Sequence, residues 1–307
     1  MPLLRPVRLA LALQPAGEAA RGLRFLPLRI QCRALDLNLG GGGLTGPLWR
    51  SGFGVALKQN FPGVFDLLFA DQARLGRLYA LQPPVGEIRP GQIFEIGINL
   101  FGPATEHALV CAQALERLGG MGLGEPRRHF QVERAWVEGS QADFLRHGAG
   151  LLAWPNALQV SDWVCKPRGI RQLEVCFETP LRIKDGNRPC TTGPDFLLLV
   201  RRIQGRLAQL SEVAGEANPL PQSLAQQLIR DAAQIRRLDD AVHWADIRRN
   251  SARTHQSMCF GGLMGRLRFA GPLDAYADLL ALAELMQLGG KTTFGFGCLR
   301  NTFYLED

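Results

Sequence analysis

Residues 273–307 read LDAYADLLALAELMQLGGKTTFGFGCLRNTFYLED. The first sixteen positions carry Leu, Ala and Met at helical spacing, and residues 299–305 alternate apolar with polar as a strand does. Between them Gly289, Gly290, Gly295 and Gly297 surround Lys291, Thr292 and Thr293. Glycine has no Cβ, so a helix-to-strand turn of this kind can bring backbone N–H groups close to an anion. A Walker loop is excluded, because Lys291 precedes Gly295 and the order is helix to strand. The bland alternative is a flexible turn with incidental glycines.

Working outward, residues 7–13 alternate as a strand, and a Gly- and Arg-rich excursion through Gly40 to Gly43 follows. The spacing of Leu48, Phe53, Val55, Ala56 and Leu57 predicts a short helix over 48–59. Strands are expected at 77–82 and 92–100, a helix at 105–118 ended by Gly119 and Gly120, and a strand at 129–137. The order strand, helix, strand, strand, helix, strand is that of a ferredoxin-like unit, which RNA-binding modules share. The second half repeats it loosely, with a strand at 171–184, helices at 195–210 and 220–238, a strand at 259–269, then the helix, turn and strand quoted above. The expected fold is therefore α+β, two tandem ferredoxin-like (βαββαβ) domains. Domain boundaries are placed at 1–140 and 165–307, with 141–164, rich in turn formers, as linker. Two such sandwiches side by side leave a cleft between them.

Thirty-five Lys and Arg face 28 Asp and Glu, a net charge of +7, and only Lys58, Lys166, Lys184 and Lys291 are lysines. Arginine binds phosphate bidentately and stacks on bases, so a polyanionic partner fits this balance better than a membrane surface. Seven cysteines without a CxxC pair read as reduced thiols, with no disulfide frame or zinc site. No apolar run is long enough to span a membrane, and the interrupted N-terminal run does not read as a signal peptide. A cytoplasmic protein with no membrane partner is expected.

Five ordered blocks carry a resemblance: 290–297, Met258 to Gly265, Phe177 to Arg182, 244–256, and Phe101 to Ala104 with 118–124. Together they resemble the CRISPR-associated endoribonucleases of the RAMP superfamily that cut precursor repeat RNA into guide RNA. The resemblance implies two tandem ferredoxin-like domains, binding of a repeat hairpin, and cleavage without metal or other cofactor. The neighbouring 2′-hydroxyl would act as nucleophile and leave a 2′,3′-cyclic phosphate. Such chemistry needs a base, an acid and cations around the phosphorane.

Relatives place a histidine on or near the first helix; residues 48–59 hold none and offer Arg50, Ser51 and Lys58. Residues 248–256 form the densest polar constellation. There His255 is the candidate acid or base, Arg253 and Lys58 would stabilise transition-state charge, and Arg50, Arg248 and Arg249 would bind RNA. Gly290, Lys291, Thr292, Thr293, Gly295 and Gly297 complete the expected RNA contacts. The plainer reading of 248–256 is an exposed loop of solvated charges. His107, His147 and His243 are expected to be structural, His129 to be structural or, with Arg127 and Arg128, to touch RNA, and the arginines at 201, 202, 206, 230, 236 and 237 to form a solvated face or a docking surface for the repeat stem.

Two further readings stand beside the nuclease. One is a noncatalytic RNA-binding subunit of a guide-RNA effector complex, with that complex's other subunits as partners. The other is a ferredoxin-like protein without an RNA role.

Overall fold

A computed structural model describes residues 4–9, 11–16, 22–39, 45–69, 77–140, 142–161, 169–250 and 257–306, with side chains left out at 4, 247–250 and 257–260. The first half of the chain runs β1 (Leu4–Val7), β2 (Leu13–Pro15), β3 (Arg24–Ala34), α1 (Gly46–Asn60), α2 (Pro62–Phe69), β4 (Tyr79–Gln82), β5 (Ile93–Phe101), α3 (Ala108–Met121), β6 (Phe130–Val137), β7 (Asp143–Arg146), β8 (Gly150–Leu151) and β9 (Leu158–Val160). The second half runs β10 (Ile170–Leu181), β11 (Lys184–Asp185), β12 (Arg188–Pro189), α4 (Phe196–Ala214), α5 (Gln222–Asp231), β13 (Arg236–Asn250), β14 (Ser257–Ala270), α6 (Ala277–Met286) and β15 (Leu299–Glu306).

In the first sheet the order β4-β5-β3-β6 follows from the pairings of β3 with β5 and β6 and of β4 with β5. In the second, the order is β15-β10-β14-β13. Numbered within each βαββαβ unit, both orders are 4-1-3-2 or its reverse, the arrangement of two ferredoxin-like domains. The ends depart from the expected division. β1 pairs with β15 in the second sheet, and β7, β8 and β9, inside the stretch expected as linker, extend the first.

The opening strand of the first domain is β3, not residues 7–13. Phe25 to Ile30 are all buried, because this strand lies between β5 and β6 and is covered on both faces. A strand buried on both faces shows no alternation. The helices follow their spacing in part: Val55, expected on the apolar face of α1, is exposed, and α3 runs through Gly119 and Gly120, expected to end it, as far as Met121. Trp49, Phe53, Ala56 and Leu57 of α1 are buried, as are Leu199, Val200, Ile203, Leu207 and Leu210 of α4. The Asp195 carboxylate accepts the Leu198 N–H at 2.7 Å, capping α4, and Gly215 ends it in a left-handed conformation.

The helix expected over 220–238 stops at Asp231, and Arg236 begins a fifteen-residue strand that pairs with β14. The consecutive charges Arg236-Arg237 and Asp239-Asp240 suit a sheet edge, where they discourage pairing with another chain. β14 pairs with β10 only as far as Leu263, so 244–250 and 257–263 continue as a two-stranded arm. Six residues of strand carry its tip about 20 Å beyond the sheet.

Buried polar bonds lock the domains together. Asn99 of β5 donates to Leu285 O at 2.6 Å, and Gln287 donates to Leu81 O at 2.9 Å. In the turn that follows α6, a Cβ on Gly297 would lie 1.9 Å from Leu288 O, and Gly297 has φ +71°. Gly297→Ala is expected to lose about 1–2 kcal/mol from the left-handed backbone alone, with the clash adding to it. A melting temperature equal to that of the parent would contradict this account of the turn.

Candidate nucleic-acid interface

The turn between α6 and β15 is built by close approach. Gly289 and Gly295 have positive φ like Gly297, and a Cβ on them would meet Arg182 O at 2.3 Å and the Pro83 ring at 2.5 Å. On the first domain, a Cβ on Gly46 at the start of α1 would lie 1.9 Å from Phe294 O. These glycines therefore let the turn press against both domains at once.

Its amides are less available than the sequence suggests. Gly290 N–H donates to Arg182 O at 2.9 Å, Gly295 N–H to Thr292 O at 3.0 Å and Gly297 N–H to Pro180 O at 3.1 Å. Phe294 and Phe296 both donate to Lys291 O, at 2.9 and 3.3 Å. The expected cradle of bare N–H groups is thus filled by the protein's own carbonyls at these five positions. Thr292, Thr293, Gly295 and Gly297 are buried, whereas Gly290 and Lys291 are exposed. Lys291 holds φ +66°, unusual for a residue with a side chain. Partial burial, reinforced by the Arg182 charge, lowers its pKa.

Arginines from both domains grip this turn. The Arg50 guanidinium lies 4.5 Å from the Phe294 ring centre and 4.9 Å from that of Phe69. Arg206 of α4 donates from Nη2 to Thr292 Oγ1 at 3.2 Å and from Nη1 to Gln209 Oε1 at 3.3 Å. Burial pushes its pKa down to about 10. The Nε atoms of Arg50, Arg202 and Arg206 are buried without a hydrogen-bond partner. Tyr79 is fully buried next to Arg50; burial pushes its phenol up to about 12, against the opposing pull of the Arg50 and Arg77 charges. Among the described residues, Arg182, Arg202 and Arg206 form no ion pair.

Of the residues expected to form the site, Arg50, Gly290, Lys291, Thr292, Thr293, Gly295 and Gly297 come together here. Lys58 is exposed on α1, eight residues past Arg50 and so about 12 Å along the axis, with Nζ 5.8 Å from the Phe65 ring centre. Arg248 and Arg249 lie on the outer half of β13, opposite Cys259 and Met258, so the loop expected there begins as a strand. Their side chains, and all of Arg253 and His255, lie outside the described residues.

The other histidines stand elsewhere. His129 N–H donates to Asp36 Oδ1, and its Nδ1 lies 3.3 Å from Asp36 Oδ2. His107 is half-buried ahead of α3, and His147 is exposed in the turn before β8. His243, expected near a helix end, is exposed on β13 opposite Met264.

Arg206 is the functional candidate that the solvated-face reading missed. It lies seven residues after Leu199 and four before Leu210, inside the apolar stripe of α4, and that spacing was the available signal. The cleft between the sheets is a different surface. It encloses about 470 Å³ and is lined by Glu87, Glu95, Glu138, Glu178 and Glu284 against Arg8, Arg29 and Arg300. Several of these pair, as in Arg8–Glu284 at 2.7 Å and Arg300–Glu178 at 2.5 Å.

The family model described as CRISPR-associated endoribonuclease Cas6 matches residues 175–299, and one described as an N-terminal domain, AF_1859_N, matches 69–153. No curated protein matches the sequence. Among solved structures, Thermus thermophilus Cas6 (TTHB231) aligns over 91% of this chain and 99% of its own, at 13% identity and a TM-score of 0.57. A Cas6 (TTHA0078) product complex aligns over 90% and 99%, at 18% identity and a TM-score of 0.52. A RAMP protein bound to different RNA substrates aligns over 90% and 99%, at 15% and 0.51. The stretch from β10 to the start of β15, which includes the glycine turn, thus carries the Cas6 match, and the chain as a whole has the fold of the Cas6 and RAMP proteins.

Proposed function

We propose that the protein is a CRISPR-associated endoribonuclease that binds repeat hairpins in precursor CRISPR RNA and cleaves them without metal, by attack of a 2′-hydroxyl, to give guide RNA. The observation that carries this reading is the Cas6 match over 175–299, which ends on a turn that Arg50 of the first domain and Arg206 of the second both reach. Its solved neighbours support RNA as partner, since they include product and substrate-mimic complexes, and a Cas6-RT-Cas1–Cas2 assembly supports further subunits.

The roles divide by position. Gly290 and Lys291 face outward and contact the RNA backbone; Thr292, Thr293, Gly295 and Gly297 hold the turn in shape for them. Arg50 presents its charge to the turn, and Arg248 and Arg249 on the arm contact the stem. His255, between β13 and β14 in sequence, exchanges the proton of the 2′-hydroxyl or the leaving 5′-oxygen, because imidazole titrates near neutrality. Arg253 beside it, with Lys58, stabilises the phosphorane charge. One observation favours the second reading, a noncatalytic RNA-binding subunit: α1 has no histidine, and none of the described histidines lies at the turn.

Incubation of the purified protein with repeat RNA in EDTA separates the two readings. Cleavage ending in a 2′,3′-cyclic phosphate is expected; tight binding without a cut supports the second, and cutting that requires added Mg²⁺ would refute metal independence. His255→Ala is expected to slow cleavage by about 10²- to 10⁴-fold while leaving affinity intact; an unchanged rate removes His255 from the chemistry. Lys291→Gly removes the amine without straining the left-handed backbone. It is expected to preserve the melting temperature, weaken RNA binding, and reduce the slope of log affinity against log salt by about one. An unaltered salt slope would take Lys291 off the RNA backbone.

A further inference from the structure

Among the described residues most arginines are exposed or pair with a carboxylate, and Arg206 does neither. Leu199, Ile203, Leu207 and Leu210 turn one face of α4 into the core, and Arg206 sits in that face, 8% exposed. Of its five N–H donors, two have modest bonds, at 3.3 Å to Gln209 and 3.2 Å to Thr292, and its Nε has none. A buried cation without a counter-charge is costly, and an apolar side chain of similar volume is usually neutral or stabilising at such a place. Folding alone does not explain an arginine here. Nor does snorkelling, since that would bring the guanidinium out to solvent.

What the guanidinium does reach is the glycine turn. Thr292 Oγ1 is its partner, Thr292 follows the left-handed Lys291, and Gly290 and Lys291 form the exposed surface above. Arg202, one helical turn earlier, also buries an Nε without a partner, and Arg182 lies close enough to Lys291 to act on its charge. On the open side of Gly290, the nearest atom to a built Cβ is Arg182 O at 3.9 Å, so the surface has room for a ligand.

We infer that Arg206 is a positioning residue for a phosphate-binding subsite on the Gly290–Lys291 surface: it fixes Thr292, and leaves beneath the turn a positive charge that a bound phosphodiester compensates. The inference rests on the RNA-binding reading above and deepens it by naming the group recognised, a backbone phosphate, and the buried residue that prepares its place. The two cations act differently. Lys291 meets the phosphate, while Arg206 shapes the turn and supplies field through it.

The test compares the parent with Arg206→Met and Arg206→Lys in two measurements: affinity for a repeat hairpin RNA in EDTA, and the rise in melting temperature caused by millimolar inorganic pyrophosphate at fixed ionic strength. Arg206→Met is expected to melt at or above the parent's temperature, to bind RNA about tenfold more weakly, and to lose the pyrophosphate response. Arg206→Lys, which keeps the charge, is expected to recover most of the affinity. Arg206→Met binding RNA as tightly as the parent, or melting several degrees lower without rescue by Arg206→Lys, would show a merely structural arginine. A parent that answers pyrophosphate but binds no repeat RNA overturns the proposed function and leaves the phosphate subsite standing; a parent that answers neither overturns the subsite as well.

Discussion

The contact between Gly297 and Leu288 O constrains most of this molecule. After α6 the chain must reverse and enter β15 beside β10, and it does so through positive φ at Gln287, Gly289, Lys291, Gly295 and Gly297. The reversal touches Pro180 and Arg182 on one domain, and Gly46, Leu81 and Pro83 on the other. The shape of the turn and the angle between the domains are therefore a single constraint. A substitution that swells the turn must also shift α1 or β4, which explains why so many positions there admit only hydrogen as a side chain.

Charge is distributed against this frame in two opposed ways. The cleft between the sheets gathers glutamates, and burial raises the pKa of Glu95 and Glu284 there. Arg8, Arg29 and Arg300 answer them, leaving five acidic groups against three basic ones among the lining residues. At the turn the balance is reversed, with Arg182, Arg202, Arg206 and Lys291 close together. A polyanion is repelled from the first surface and drawn to the second. Of these two surfaces, and among the described residues, the turn is the cationic one and not the groove between sandwiches that the tandem fold suggests.

The sequence revealed elements wherever one face is buried and the other wet. That condition holds for α1, α3, β10 and β15, and each lies within a few residues of its expected place. It fails for β3, where both faces are covered and Pro27 interrupts the run, and for β13, an edge strand whose charges resemble a helix surface. Apolar residues at 224, 228, 232 and 235 extend a helical rhythm past Asp231, yet Ile235 already belongs to the turn into the sheet. The glycines show a deeper ambiguity. A backbone exposed for a ligand and a backbone pressed against another backbone require the same residue, and only the hydrogen-bond partners tell them apart. Arg206 is legible in the spacing of α4, whose period places it inward although its charge alone argues for the surface.

This geometry also bears on where proton transfer can occur. Arg50 occupies the face of α1 that meets the turn, and a guanidinium stays protonated far above neutral pH, so it can hold a phosphate but cannot serve as a base. The Tyr79 hydroxyl, beside Arg50, is sealed in the core with its pKa pushed up to about 12. Among the described residues, then, the turn offers charge and position without a histidine. The arm springs from Leu263, beside the Leu181–Arg182 segment against which the turn rests, and His255 follows β13 in sequence, outside the described residues. Under the proposed function, the turn would therefore hold the RNA backbone while the imidazole has to come from another segment, for which His255 is the candidate.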